Sequence, residues 1–377
     1  MIFLDRIWKR MGLRPITKCP ACEWGDDGSK LPVPVCRAAA GRRASLQTNG
    51  CESVLRGLVL FLVLLYGSYA YAQEKIKLSY SSVDGSNAVW FVAKERGFYQ
   101  KHGLDADMVF ILSTTTSVAS LVAGDVKAGN ASAGAVASAT LAGASLVITG
   151  CFINILPYEL VVHESIRSPE DLREKSVGIS RVGASSDVAA RVLIKGLGLE
   201  PVKEVAILQV GGPAERAAAF RTGRIVGFPS PPGVIKLAKG MPHRVLISTA
   251  DLKKRFDFPY TCSVMTKSFF GTQKDTVRRL LMALIEAAHF FKTRKEESKK
   301  ILAKYSKQYD EAYLEASYVE YARIHDRVPL VTREGTEAQI REALSRKPGA
   351  SLKVEDIVDD SVVVELEKGG FIDRIYR

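Results

Sequence analysis

The sequence predicts an α/β protein of two similar lobes with a helical C-terminal segment, and three observations predict it. From Lys75 onward short apolar runs alternate with helical patterns, as in helices layered on largely parallel strands. The same alternation returns after Glu164, so one unit is built twice. Beyond Gly271 it gives way to long stretches with apolar residues three and four positions apart, the spacing of amphipathic helices. A length of 377 residues, with a quarter of them charged, fits two domains of ordinary size.

In chain order, residues 1–56 form an atypical extension containing Arg, Pro and Gly without apolar periodicity. It holds Cys19-Pro-Ala-Cys22, with Cys36 and Cys51 beyond. A zinc ribbon needs a second closely spaced pair, so no metal or redox site is assigned there. Residues 57–72 read as a signal peptide. The apolar run Leu58 to Tyr66 follows Arg56 and is shorter than the roughly 20 residues that span a bilayer. Ala70-Tyr71-Ala72 then supplies an A-x-A cleavage pattern before Gln73. A retained membrane anchor is the alternative. A start assigned too far upstream, with initiation near Leu46 or Val54, would account for the extension.

In the mature chain the first lobe reads "IKLSYSS", "AVWFVAKERGFYQKHG", "DADMVFIL", "SVASLVAG" and "VKAGNAS". The second reads "SVGIS", "SDVAARVLIKGLG", "VAILQV", "PAERAAAFRTG" and "RIVGFPS". "AGDVKAGNASAGAVASATLAG" from Ala123 aligns with "TGRIVGFPSPPGVIKLAKG" from Thr222: Gly, short strand, small-residue turn, helix, Gly. The tail "DTVRRLLMALIEAAHFFKTRKEESKKILAKYS" and "YDEAYLEASYVEYARIH" is helical and is expected to pack on one lobe. Ten Lys/Arg and five Asp/Glu lie in residues 1–72, which lowers the excess of basic over acidic residues from 12 to 7. The remaining Lys and Arg are mixed with Glu along helices, as in "KTRKEESKK", a solvated face and not a nucleic-acid surface. Only Cys151 and Cys262 remain, each in apolar sequence, so two buried thiols or one disulfide are open.

Four stretches carry a family resemblance: "AVWFVAKERGFYQKHGLDADMV", "LVAGDVKAGNAS", "SPEDLREKSVGISRVGASS" and the tail "VDDSVVVELEKGGFIDRIY". In this order they resemble the solute-binding proteins of ABC importers for nitrate, sulfonates, taurine and thiamine-pyrimidine precursors, over nearly all of Lys75 to Arg377. The chain departs from the family's common G-x-x-D at Lys127 and Val226. The resemblance implies a type II periplasmic-binding-protein architecture, with lobe one at 73–160 plus 265–377 and lobe two at 161–264. It implies crossovers near Pro157 to Ser165 and Tyr260 to Ser268. It also implies a periplasmic, soluble, monomeric mature chain that takes a small-molecule ligand, without a cofactor, and hands it to an ABC permease and its ATPase.

Ligands of open parallel sheets sit beyond the carboxyl ends of strands, where helix N-termini present free N–H groups. Small or polar residues fall at such points. After the first strand come Ser81 and Asn87, with Ser86 or Asn87 as the expected helix cap; after the second, Thr115 and Thr116; after the third, Asn130 and Ser132. Lobe two offers Ser180, Arg181, Gly183, Ser185, Ser186 and, in "PSPP", Ser230. Each Ser, Thr or Asn could equally cap a helix with no ligand nearby, and Arg181 could equally bridge to a surface carboxylate. Of Trp90 and Phe91 one is expected in the core, while the other could stack on a flat ligand. Asn154 could reach the cleft from the hinge side, and Tyr158 is a similar, weaker candidate.

No catalytic or metal constellation emerges. The five His have no metal spacing, "GASSD" is not a nucleophile elbow, and no P-loop occurs. Cys151 does not reproduce the Cys-rich motif of the family's pyrimidine synthase. An enzyme on the same scaffold and a sensory binding protein remain as alternatives to import. Sequencing of the exported protein is expected to start at Gln73; a start upstream of Tyr71 would exclude the cleavage site.

Overall fold

A computed structural model describes residues 73–252 and 257–377. The expected extension, cysteine motif and signal peptide lie outside the described residues.

The first half opens with β1 (Glu74–Tyr80), α1 (Ala88–Glu95), α2 (Phe98–Lys101) and β2 (Leu104–Phe110). It continues through α3 (Thr114–Ala123), β3 (Ala128–Ala131), α4 (Ala133–Leu141) and β4 (Leu146–Ile155). After Leu156-Pro157-Tyr158 the chain enters a second sheet as β5 (Glu159–His163). There it builds β6 (Ser176–Ile179), α5 (Ser185–Gly196), β7 (Ala206–Gln209), α6 (Pro213–Arg221), β8 (Gly227–Ser230) and β9 (His243–Ser248). It returns as β10 (Asp257–Thr266) and finishes in helices α7 (Lys267–Thr272), α8 (Lys274–Thr293), α9 (Lys295–Ser306), α10 (Glu311–Ile324), α11 (Arg333–Ser345), α12 (Ser361–Lys368) and α13 (Phe371–Ile375).

The two sheets have one topology. Strand order is β2-β1-β3-β10-β4 in the first and β7-β6-β8-β5-β9 in the second. In each, the fourth position is filled by the strand that has just arrived from the other sheet, and that strand runs antiparallel to both neighbours. The other pairings are parallel. The duplicated α/β grammar thus corresponds to two mixed sheets.

The second crossing lies earlier than the expected Tyr260 to Ser268. Tyr260 to Thr266 belongs to β10, already paired with β3 and β4, and the chain crosses between Ser248 and Asp257. An apolar run flanked by polar residues fits a sheet-centre strand as well as a bridge, and only the pairing separates them. The first crossing, at 156–158, opens the segment expected for it.

Burial follows the pattern of the sequence. Helix α8 covers α1 with its apolar face, burying Leu280, Leu284, Ala287 and Phe291. The small residues of α4 let α11 approach so closely that a side chain at Gly134 would collide with Gln339. The tail therefore packs mainly on the first sheet, but α10 also reaches the second lobe: the Ser317 hydroxyl donates to the Pro232 carbonyl at 3.1 Å. Gly233, at φ 80°, lies against the α10 backbone there, with no room for a side chain.

Cys151 and Cys262 face each other across β4 and β10 and form a disulfide, fully buried. The sequence separation of 111 encloses both crossings and the whole second sheet. By the chain-entropy account a loop of this size makes a cross-link worth up to ~5 kcal/mol, with 2–4 typical. Replacing both cysteines by Ala is expected to lower the unfolding free energy in urea by about 2–4 kcal/mol. Reductant should reproduce part of that loss in the wild type and none in the double variant.

Candidate functional site

The carboxyl ends of the strands in both sheets converge on one cavity of about 40 Å³. From the first sheet's side it is lined by Ser81 and Asp84 after β1, Ser113 and Thr114 after β2, and Asn130 at the end of β3. From the second come Ser180, Ser185 and Ser186 after β6 and Arg216 on α6. Tyr158 and Tyr260, one beside each crossing, close the floor.

Three helices start here. Thr114, Ser185 and Pro213 are the first residues of α3, α5 and α6, so free N–H groups and the positive ends of three helix dipoles surround the cavity. Arg216 lies in the first turn of α6 and is 2 % exposed. A cation there opposes the helix dipole, an unfavourable placement that an anion in the cavity would relieve. Its Nη1 donates to the Pro229 carbonyl at 2.6 Å and its Nε to the Gly212 carbonyl at 3.4 Å. Among the described residues no carboxylate pairs with it.

Several buried polar atoms at the cavity are unpartnered: Thr114 Oγ1, Ser185 Oγ and Asn130 Oδ1. Leaving such atoms without a partner is costly. Ser113 holds φ 83°, a backbone angle that non-glycine residues seldom adopt.

A polar chain crosses the floor between the lobes. Arg216 lies alongside the Tyr158 hydroxyl, which is 3.1 Å from the Tyr260 hydroxyl. Tyr260 lies beside Ser86, whose N–H and hydroxyl both donate to Asp84. Burial raises the pKa of both phenols above the ordinary value, so each keeps its proton. At the rim the lobes touch through small residues: a Cβ at Gly212 would stand 3.3 Å from the Leu112 methyl, and one at Gly183 3.5 Å from that of Thr115.

Of the residues expected from sequence, Ser81, Asn130, Ser180, Ser185 and Ser186 come together on this cavity. Asn87 lies one layer behind: its Oδ1 accepts from Asn130 Nδ2 at 2.6 Å, and it stands at the N-cap position of α1, as expected, but makes no capping bond, while Asp84 caps the turn just before it. Thr115 sits at the rim, bonded to Ser113, and Thr116 is outside the lining because α3 starts at Thr114 and turns about 100° per residue. Gly183, at φ 79°, shapes the turn before α5, while Arg181 points to solvent. Ser132 starts α4, buried and off the lining. Ser230 donates to the Pro231 carbonyl and lines a separate groove.

Two expectations find their residues elsewhere. Trp90 is 0 % exposed within the core, as is Phe91, so neither can stack on a ligand. Asn154 pins the tail, donating to Asp326 and the Leu330 carbonyl and accepting from Thr332 N–H. Cys151, the thiol weighed for catalysis, is bonded to Cys262.

Asp84, Arg216 and Tyr260 were missed, and within the polar turn Ser113 to Thr116 the first two residues, not the last two, line the cavity. In "PAERAAAFRTG" Arg216 looks like one charge of a solvated face. The available signal was its position: a cation in a helix's first turn, after a Gly-Gly turn that closes a strand.

The separate groove, of about 880 Å³, lies on the other side of Tyr158, against β9 and α10. Its charges are partly spent on each other, as in Glu320 with Arg323, and among the described residues no α-helix starts there. The smaller cavity is the better ligand site on chemical grounds.

Because their hydroxyls hold nothing in the fold, Thr114→Ala and Ser185→Ala are each expected to leave urea stability within about 0.5 kcal/mol of the wild type. A loss above about 1.5 kcal/mol would mean that the hydroxyls serve structure.

Residues 70–306, more than half of the chain, match the model of the NMT1-like family. A candidate binding protein of Brucella abortus (strain 2308) is 24% identical over 246 residues, 64% of this chain and 74% of that protein. The alkanesulfonate-binding protein SsuA from Xanthomonas axonopodis pv. citri, bound to MOPS, superposes with a TM-score of 0.63 at 18% identity, covering 76% of this chain and 98% of SsuA. The periplasmic nitrate-binding protein NrtA from Synechocystis PCC 6803 gives 0.60 at 15% identity, covering 78% and 88%.

Proposed function

The chain belongs to the NMT1-like family, and from that premise we propose that it is the extracytoplasmic solute-binding component of an ABC importer, capturing a small polar, anionic organic solute between two lobes. One observation carries the proposal: three helix N-termini and the unpaired, buried Arg216 surround one cavity that both sheets line. Such a convergence favours negative charge.

The ligand-binding residues assigned are Ser81, Thr114, Asn130, Ser180, Ser185, Ser186 and Arg216. Lobe one runs to the first crossing and resumes at β10; lobe two is the excursion between them. Closure exchanges the solute's water shell for these fixed donors, and the closed state gains as much as the solute's preference for it. The product is a complex for delivery to a membrane permease driven by its ATPase, with binding and release in place of turnover. Export follows cleavage of the leader before Gln73, and the mature chain works as a monomer. Consistent with work outside the membrane, no helix among the described residues is long and apolar enough to cross one.

Thermal melting of residues 73–377 with sulfonates, carboxylates, pyrimidines and nitrate tests the proposal. A solute at a hundred times its Kd should stabilise by about 2.7 kcal/mol, and the shift should shrink in Thr114→Ala and Ser185→Ala. A flat profile across the panel would remove the solute-binding assignment.

A further inference from the structure

A second cavity, of about 120 Å³, lies between α5 of the second lobe and α11 of the first, and we propose that it is a separate binding site for a short-chain aliphatic carboxylate. Val188, Arg191, Val192 and Lys195 line it from α5 at three- and four-residue spacing, so one face of that helix is turned to it. Ala338, Gln339 and Glu342 line it from α11, with Arg346 at that helix's C-cap. The solute cavity is a different one. It takes Ser185 and Ser186 from the start of α5, and neither residue lines the second cavity.

The polar part of the lining calls for an acceptor that carries negative charge. Gln339 is 4 % exposed, and its amide makes no hydrogen bond among the described residues. Its Oε1 is the end that lies toward Gly134 on α4, which leaves the NH2 for the cavity. A buried amide donor without a partner is costly unless an occupant accepts from it. Arg191 gives its Nε to Asp187 Oδ1 at 2.8 Å, and neither Nη of its guanidinium has a hydrogen-bond partner among the described residues. Arg346 is shared with Glu342 at 2.8 Å, and Lys195 makes no ion pair among the described residues. Even with Asp187 counted, three cations stand against two carboxylates.

The rest of the lining calls for a hydrocarbon. Val188, Val192 and Ala338 offer no polar side-chain atom. An inorganic anion would leave them facing water, and a neutral apolar molecule would leave the excess positive charge uncompensated. A carboxylate on a short chain answers both. Its two coplanar oxygens suit the free edge of the Arg191 guanidinium and the Gln339 NH2, while its chain covers the valines. The space equals that of about nine waters, which fits a chain of about six carbons. Because the two walls belong to different lobes, an occupant ties α5 to α11 and is held best when the lobes are closed.

Calorimetry on the full chain would compare hexanoate with acetate, hexan-1-ol and hexylamine. Hexanoate is expected to bind with a Kd of about 1 mM or tighter, at least about tenfold tighter than each of the other three. Gln339→Met removes the amide at nearly constant volume, and it is expected to weaken hexanoate about tenfold with the melting temperature unchanged or raised. Val192→Asp should abolish hexanoate binding, and Ser185→Ala, at the solute cavity, should leave it unchanged. Acetate or hexan-1-ol binding as tightly as hexanoate would overturn the ligand class. Hexanoate binding lost in Ser185→Ala but kept in Gln339→Met and Val192→Asp would overturn the site, as would no binding at about 10 mM hexanoate. A fall in melting temperature in Gln339→Met would mean that the amide serves the packing of α11 on α4, and would overturn its assigned role. All of these outcomes leave the solute assignment untouched, since that rests on the other cavity.

Discussion

The exchange of one strand between the two sheets is the constraint on which the rest of the molecule depends. Strand β5 arrives in the second sheet and β10 in the first, each wedged antiparallel between two strands of its new host. Neither sheet is complete without a strand that has just left the other lobe. Tyr158, just before β5, and Tyr260, within β10, therefore meet at the floor of the cleft. The disulfide between Cys151 and Cys262 sits at the base of this excursion, on the strands that leave and return. Hinge, floor and covalent staple are three consequences of one topology.

That topology also explains why the site is polar although the lobes are not. Strand ends from both sheets point their free backbone groups at the same gap. Short polar side chains suit that gap because they can bond such groups, as Ser186 does for Ser180 N–H. Thr114, Asn130 and Ser185 retain an unpartnered atom, which distinguishes them from Asn87 and Ser230, whose oxygens are already engaged within the protein.

Much of the fold was legible in the sequence, because two-residue and 3.6-residue periodicities report directly on strands and helices and the duplicated grammar reports on the two lobes. The second crossing was not, since an apolar strand looks the same at a hinge and in the middle of a sheet. At the site, the serines of lobe two could be found from their place between a strand and a helix. Thr115 and Thr116 were off by one and two positions because a helix start is uncertain by about that much from sequence, and each position rotates the side chain by about 100°. Trp90 followed the apolar face of α1 into the core. Arg216 escaped notice because the groups it meets are the Pro229 and Gly212 carbonyls and the Tyr158 hydroxyl; charge patterning detects ion pairs along the chain, and an arginine held by neutral groups forms none.

Arg216 bears on how closure is held in balance. In the first turn of α6 it adds a full positive charge to the positive end of a helix, in a cleft where α3 and α5 bring two more such ends. Asp187 and Glu215 in the first turns of α5 and α6, with Asp84 on the same cavity, offset part of that charge; water supplies the rest of the compensation, which favours opening. Against this work the close approach of Leu112 to Gly212, the hold of Ser317 on Pro232, and the bond between the Tyr158 and Tyr260 hydroxyls. Under the proposed function, a solute with negative charge at Arg216 would remove the term that favours opening and leave the closing contacts in place. The preference for the closed state would then come mainly from relief of a conflict built into the empty protein, and only secondarily from new contacts between the lobes.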